Sequence, residues 1–189
     1  MNGSQHKNLN ELRSERLILK EITKDDLYDI HVLHSTPEVD EFNTLGIPRD
    51  IQETRNFLNT ILNDQKAPER KHLCWVVRTI YDNKFIGIAG LVFSAPRFKM
   101  AEIYFKLLPE SWGNGFATEL ARRIFQFAFQ DLGLHRIEAG VATENVRSIR
   151  VLEKLGMTRE GSRRKILPIR GEWKDNYHYA ILDEEFKAI

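Results

Sequence analysis

The sequence predicts an α+β fold, a sheet with helices packed on its faces. Short runs rich in Val, Ile and aromatic residues recur along the chain, and longer segments between them carry apolar residues at helical spacing. No internal repeat, low-complexity segment or linker-like break divides the whole. At 189 residues, 42% apolar and 29% charged, the chain is long enough to bury one globular core and short for two, so one domain is expected.

Residues 1–11 are polar and bury too little to offset their ordering, so they read as a loose tail before a domain over 12–189. Residues 16–22 alternate Leu17 and Leu19 on one face with Ile18, Lys20 and Ile22 on the other, as a strand does. Thr23, with Asp26 three residues on, marks a helix start, because a hydroxyl and a carboxylate satisfy free N–H groups of a first turn. That helix runs to about His34. Pro37, Gly46 and Pro48 make 35–49 a loop or broken helix at a rim, and Asp50 caps a second helix with Ile51, Phe57, Leu58, Ile61 and Leu62 on one face.

Residues 73–79 and 85–93 form a hairpin about Asp82-Asn83, and 101–108 is a further strand. The period then changes. Leu120, Ile124, Phe127 and Ala128, widened by Phe125 and Phe129, make 115–132 the main buried helix. A short strand over 136–141, a helix over 145–155 stopped by Gly156, and strands near 157–165 and 173–182 complete the order.

Lys and Arg number 28 against 27 Asp and Glu, a net charge of +1, so no overall field favours a nucleic-acid backbone or an anionic membrane. Neither is expected as a partner. No apolar run approaches the roughly 18 residues of a membrane span, and the first dozen residues are too polar for a signal-peptide core, which predicts a cytoplasmic protein. The single Cys74, inside an apolar stretch, excludes an internal disulfide framework and reads as a buried thiol.

The most informative stretch is Leu108-Pro109-Glu110-Ser111-Trp112-Gly113-Asn114-Gly115-Phe116-Ala117-Thr118-Glu119, a strand passing through a glycine turn into a long helix. Free N–H groups, missing side chains and the positive end of the helix dipole meet there and suit an anion such as a pyrophosphate. A turn that only connects two elements has the same composition. No Lys follows the glycines, which disfavours a P-loop, and Thr118 stands where a dinucleotide fingerprint needs a third small residue. Backbone amides alone would serve the pyrophosphate of coenzyme A.

Ala101-Glu102-Ile103-Tyr104-Phe105, the glycine turn from Trp112 to Glu119, and Asn145-Val146-Arg147-Ser148 leading to Leu152-Glu153-Lys154-Leu155-Gly156-Met157 resemble the GNAT N-acetyltransferases. Within that superfamily the chain is similar to the RimJ/RimL-like branch, the ribosomal-protein-alanine acetyltransferases. The opening Arg13-Ser14-Glu15-Arg16-Leu17-Ile18-Leu19, Thr36-Pro37-Glu38-Val39, and the spacing Gly171, Trp173, Asp175, Tyr179 agree with it. The resemblance implies a GNAT fold, a mixed central sheet of about six to seven strands splayed into a V. Acetyl-CoA would be the acetyl donor, wedged into the V, with no metal. Backbone groups of Lys106, Leu107 and Leu108 would bond the pantetheine arm, amides of Gly113, Asn114, Gly115, Phe116, Ala117 and Thr118 would hold the pyrophosphate, and Asn145 would contact the cofactor arm or the reacting amine. Two departures stand out: Trp112 occupies a place that is often Gln or Arg, and Leu152 one that is often a proton-donating Tyr.

Acetyl transfer to an amine needs a proton acceptor, and Glu102 is the leading candidate, with a glutamate satisfied by a neighbouring cation or by solvent as the alternative. Glu119, in a helix's first turn, suits the dipole. In the RimJ/RimL-like pattern Ser148 takes the part of the missing phenol toward the departing sulfur, and its spacing from Asn145 puts both on one helical face, so the pair counts as catalytic and cofactor-binding together. Lys154, Arg147, Arg150, Arg122 and Arg123 are candidates for the 3′-phosphate, with no choice among them. His31 and His34 share a helical face without further ligands, so ordinary helix histidines are favoured over a metal. Arg159, Arg163, Arg164, Lys165, Arg170 and Lys174 form a local basic patch, a solvated hairpin or a contact surface, and Glu38, Asp40 and Glu41 an acidic cluster able to attract an amine. The expected acceptor is a protein N-terminal α-amine, on branch resemblance, with a polyamine or other small amine as the alternative. A non-catalytic acyl-CoA-binding sensor is the rival of another class. Monomer and homodimer both stay open.

Overall fold

The computed structural model describes residues 11–187; most of the expected tail lies outside them. Eight strands form one sheet: β1 (Glu11–Arg13), β2 (Leu17–Glu21), β3 (His72–Thr79), β4 (Phe85–Phe93), β5 (Met100–Leu107), β6 (Arg136–Ala142), β7 (Thr158–Ile169) and β8 (Glu172–Leu182). Their spatial order is β1-β2-β3-β4-β5-β6-β8-β7. The expected α+β class and mixed, splayed sheet are present, with one strand more than the six to seven anticipated. The extra strand is β1, which contains Glu11, placed by the sequence reading at the end of the tail. Three residues with one apolar side chain are too few for a period, and of the three only Leu12 is buried.

The helices are α1 (Leu27–Ser35), the single turn α2 (Pro37–Asp40), α3 (Ile51–Asp64), α4 (Phe116–Gln126) and α5 (Val146–Lys154). Thr23 and Asp26 make the predicted capping box, which opens a 3-10 turn ahead of α1. The Asp50 side chain accepts from Glu53 N–H at the start of α3. The long helix over 115–132 is α4 followed by a wider π turn at Phe127–Asp131. β7 runs further than expected because Arg170 and Gly171 both take positive φ, 49° and 79°, and make a tight turn into β8.

Burial on both faces of the middle strands divides the core. On β3, Leu73, Trp75 and Val77 turn to a cluster with Leu120, Ile124 and Phe125 of α4, while Cys74 and Val76 turn to Ile30, Leu33, Leu58 and Ile61 of α1 and α3. Buried Cys74 has its thiol pushed up to about 12 by desolvation, as an inert core residue does. Among the described residues no helix is long and apolar enough to cross a membrane.

The functional consequence lies between β5 and β6, the one parallel pair among the described residues. They pair at Met100↔Arg136, Ala101↔Ile137 and Glu102↔Glu138. Beyond Glu102 they diverge, although β5 continues to Leu107 and β6 to Ala142. A sheet opened in its middle leaves central-strand backbone groups without partners from a neighbouring strand.

Candidate active site

The divergence opens into a cavity of about 920 Å³, lined by β5, β6, the turn into α4, α5 and part of 38–45. That size suits a large cosubstrate. At one end Gly113 and Gly115 have φ of +77° and +78°, a conformation that side chains rarely adopt. A Cβ on Gly113 would meet nothing within 4 Å, so the turn presents bare backbone toward the cavity ahead of the α4 N-terminus. These features fit an anionic group held by amides.

The turn is braced from behind. Arg16 donates through its backbone N–H and through Nε to Glu119, 2.7 Å each, and through Nη1 to Asn114 O at 3.1 Å, while its guanidinium lies 4.6 Å over the Phe116 ring. Ser14 Oγ also donates to Glu119, at 2.7 Å. Burial pushes the Glu119 carboxyl up, but these donors outweigh it and hold it below its ordinary value of 4.5. The resulting stabilisation is complete above that value and is lost as pH falls through the lower folded one. Glu119 thus has a bracing part beyond the dipole, joining the N-terminal edge of the sheet to the turn.

Alternation along β5 sorts its backbone. Leu108 N–H bonds Ile86 O at 2.9 Å and Ser94 N–H bonds Met100 O at 3.0 Å, so even-numbered residues point their backbone toward β4. The groups facing the gap belong to Phe105 and Leu107. This corrects the expectation for Lys106 and Leu108, whose backbone is turned to β4; Leu108 is buried in the α1/α3 cluster and lies outside the cavity lining. Trp112 also has a place in this arrangement, since its Nε1–H donates to Leu107 O at 2.8 Å. Trp112→Phe removes that bond and is expected to lower stability by about 1 kcal/mol in a denaturant titration.

Asn145 caps α5, its Oδ1 accepting from Ser148 N–H at 3.1 Å, so its amide N–H₂ is the part left for a ligand. Asn145 and Ser148 both line the cavity. Arg147 crosses the mouth: it lies 4.3 Å over the Trp112 ring and pairs with Glu41 at 3.1 Å.

On the opposite wall, Glu102 lines the cavity and makes no hydrogen bond or ion pair among the described residues. Its register partner Glu138 is committed to Arg136 at 2.8 Å and His178 at 3.4 Å. The acidic cluster is mostly spent as well, since buried Asp40 pairs with Arg170 at 3.3 Å and Glu41 with Arg147. Lys106, on the same face of β5 as Glu102, donates from Nζ to Asn43 Oδ1 at 2.9 Å. Burial pushes its pKa down to about 8, against the raising effect of Asp40.

A sequence model of the Acetyltransferase (GNAT) domain matches residues 16–158. The chain belongs to the GNAT acetyltransferases. It is 32% identical over 171 residues to the uncharacterized N-acetyltransferase YoaA of Bacillus subtilis (strain 168), covering 90% of this chain and 96% of that one. A GNAT-family acetyltransferase structure from Bacillus anthracis superposes with a TM-score of 0.81 at 31% identity, over 93% of this chain and 99% of that one. The Vibrio cholerae spermidine N-acetyltransferase in complex with CoA and spermine superposes with a TM-score of 0.79 at 25% identity, over 89% and 96%.

In this GNAT chain Gly113, Gly115, Phe116, Ala117 and Thr118 all line the cavity, whereas Asn114 does not: its Nδ2 donates to Trp112 O and its carbonyl accepts from Arg16. Of the 3′-phosphate candidates, Arg147, Arg150 and Lys154 line it and Arg122 and Arg123 do not, Arg123 donating to Arg13 O at 2.9 Å. His31 hydrogen-bonds Thr54, and His34 packs on Phe57 with its pKa pushed down to about 3, chiefly by burial. In the basic hairpin Arg170 and Lys174 have acidic partners and Arg159 lies over Tyr177. Sequence reasoning missed Phe105, Arg16 and Asn176. Strand alternation was the available signal for Phe105.

Proposed function

We propose that this acetyltransferase passes acetyl from acetyl-CoA to the α-amine of a protein or peptide N-terminus. Lys106 carries the choice of acceptor. A half-buried cation stands in the wall on the same strand face as the free carboxylate, and the acids Asp40 and Glu41 are already paired. An acceptor with one positive charge meets little repulsion there, whereas a polyamine brings further ammonium groups past Lys106.

Glu102 takes a proton from the acceptor's ammonium, freeing the nitrogen lone pair. The nitrogen bonds the acetyl carbonyl carbon and the carbon–sulfur bond breaks. Ser148 Oγ–H supports the departing sulfur, which ends as the thiol with the second proton lost from nitrogen. The bare turn from Gly113 to Thr118 holds the pyrophosphate, and the gap-facing backbone of Phe105 and Leu107 aligns the arm. Among the cavity cations, Arg150 and Lys154 carry no ion pair among the described residues and are the ones left for the 3′-phosphate.

The polyamine reading keeps one support, the uncommitted carboxylates of Glu38 and Glu102 in the lining, alongside the Vibrio cholerae spermidine enzyme's similarity. Thiol release from acetyl-CoA with free-N-terminus peptides, spermidine and aminoglycosides decides between them. Release with peptides supports the proposal, and release with spermidine alone overturns it. Lys106→Met is expected to raise kcat/KM for spermidine relative to a peptide by about tenfold, as removal of one charge in a partly desolvated wall should. An unchanged ratio would take Lys106 out of acceptor choice.

A further inference from the structure

We infer that Asn176 positions the acceptor amine, its side-chain oxygen accepting a hydrogen bond from the N–H that stays on nitrogen while Glu102 takes the proton that leaves. The assignment rests on the acetyl-transfer reading above. Asn176 is only 6% exposed, yet it lines the cavity, and its Oδ1 is buried without a hydrogen-bond partner. Buried amide oxygens are rarely left unsatisfied, because the desolvation is not repaid. A ligand N–H in the cavity is the donor this atom lacks.

The surroundings place that donor. A Cβ on Gly140 would lie 3.0 Å from Asn176 Nδ2, 3.4 Å from its Oδ1 and 3.3 Å from Glu102 Oε1. The Asn176 amide and the free carboxylate therefore converge on one point above β6, and the absence of a side chain at Gly140 keeps it open. Two elements bring them there: β5, which carries Glu102 at the last rung of its pairing with β6, and β8, where Asn176 is the register partner of Ala142. An amide oxygen suits the task, since it accepts from a neutral or charged amine.

The test compares wild type, Asn176→Ala and Asn176→Asp in steady-state kinetics with the best acceptor, and in melting curves with acetyl-CoA. Asn176→Ala is expected to raise acceptor KM about tenfold, the scale of one lost hydrogen bond, with the melt shift from acetyl-CoA unchanged. Asn176→Asp keeps an oxygen at the same place and should hold acceptor KM within about threefold of wild type. An unchanged acceptor KM in Asn176→Ala overturns the assignment, as does a loss of acetyl-CoA affinity parallel to that of the acceptor. Should the alanine protein not fold, a tenfold rise in Asn176→Asp would overturn it equally. Wild-type protein that releases no thiol with any acceptor removes the acetyl-transfer reading first and this assignment with it.

Discussion

In the Glu102→Gln protein, acetyl transfer to a peptide amine at pH 7 is expected to run about 10² to 10³ times slower than in wild type, with acetyl-CoA binding unchanged. The magnitude is that of a general base removed while its shape is kept. The variant retains the volume and polarity of the side chain and loses only proton affinity. Glu102 is suited to the experiment because it has no partner to disturb among the described residues, in contrast to Glu138, whose removal would take from Arg136 one of its two carboxylate partners. Raising the pH should restore part of the rate, since free amine then reaches the site already deprotonated. Equal turnover in the two proteins at pH 7 would instead pass the proton to Glu38 or to water.

Gly115→Val is expected to abolish the thermal stabilisation by acetyl-CoA, which for a ligand at 100 times its dissociation constant amounts to about 2.7 kcal/mol. A β-branched residue at φ +78° is strained, and its Cβ would stand 3.5 Å from the Arg16 guanidinium that braces the turn. Part of the damage is therefore to the free protein, whose own melting point must be the reference for each shift. Gly115→Ala separates the contributions: it carries much of the backbone strain with little of the bulk. A full acetyl-CoA shift in the valine protein would move the pyrophosphate away from this turn.

Much of this was legible in the sequence, and what was hidden is hidden for physical reasons. The capping box at Thr23, the Asp50 cap and the glycine turn are local signals, in which a few neighbouring residues determine a conformation. That Gly113, Gly115, Asn145 and Ser148 would share one cavity came from the family resemblance, and all four line it. β1 was not legible, because its three residues acquire meaning only from the partner strand β2. Asp40 and Glu41 looked like an amine attractor because sequence lists charges without their counter-ions. Arg170 and Arg147 lie more than a hundred residues away and cancel them. Asn176 carried no signal at all, since an unsatisfied oxygen is a property of surroundings.

The divergence of β5 and β6 gives the sheet a third edge, set in its interior. Exposed strand edges invite association with other polypeptides, and proteins ordinarily blunt or cover them. This one cannot be covered without losing the slot, so it is guarded by shape. The glycine turn, α5 and the Arg147 contact with Glu41 frame it on the open side, and the Trp112 indole occupies the Leu107 carbonyl. The slot so framed suits a slender chain with few amide groups better than a full β-strand with side chains on both faces. Selectivity for a narrow ligand and protection against aggregation are here the same property of one opening.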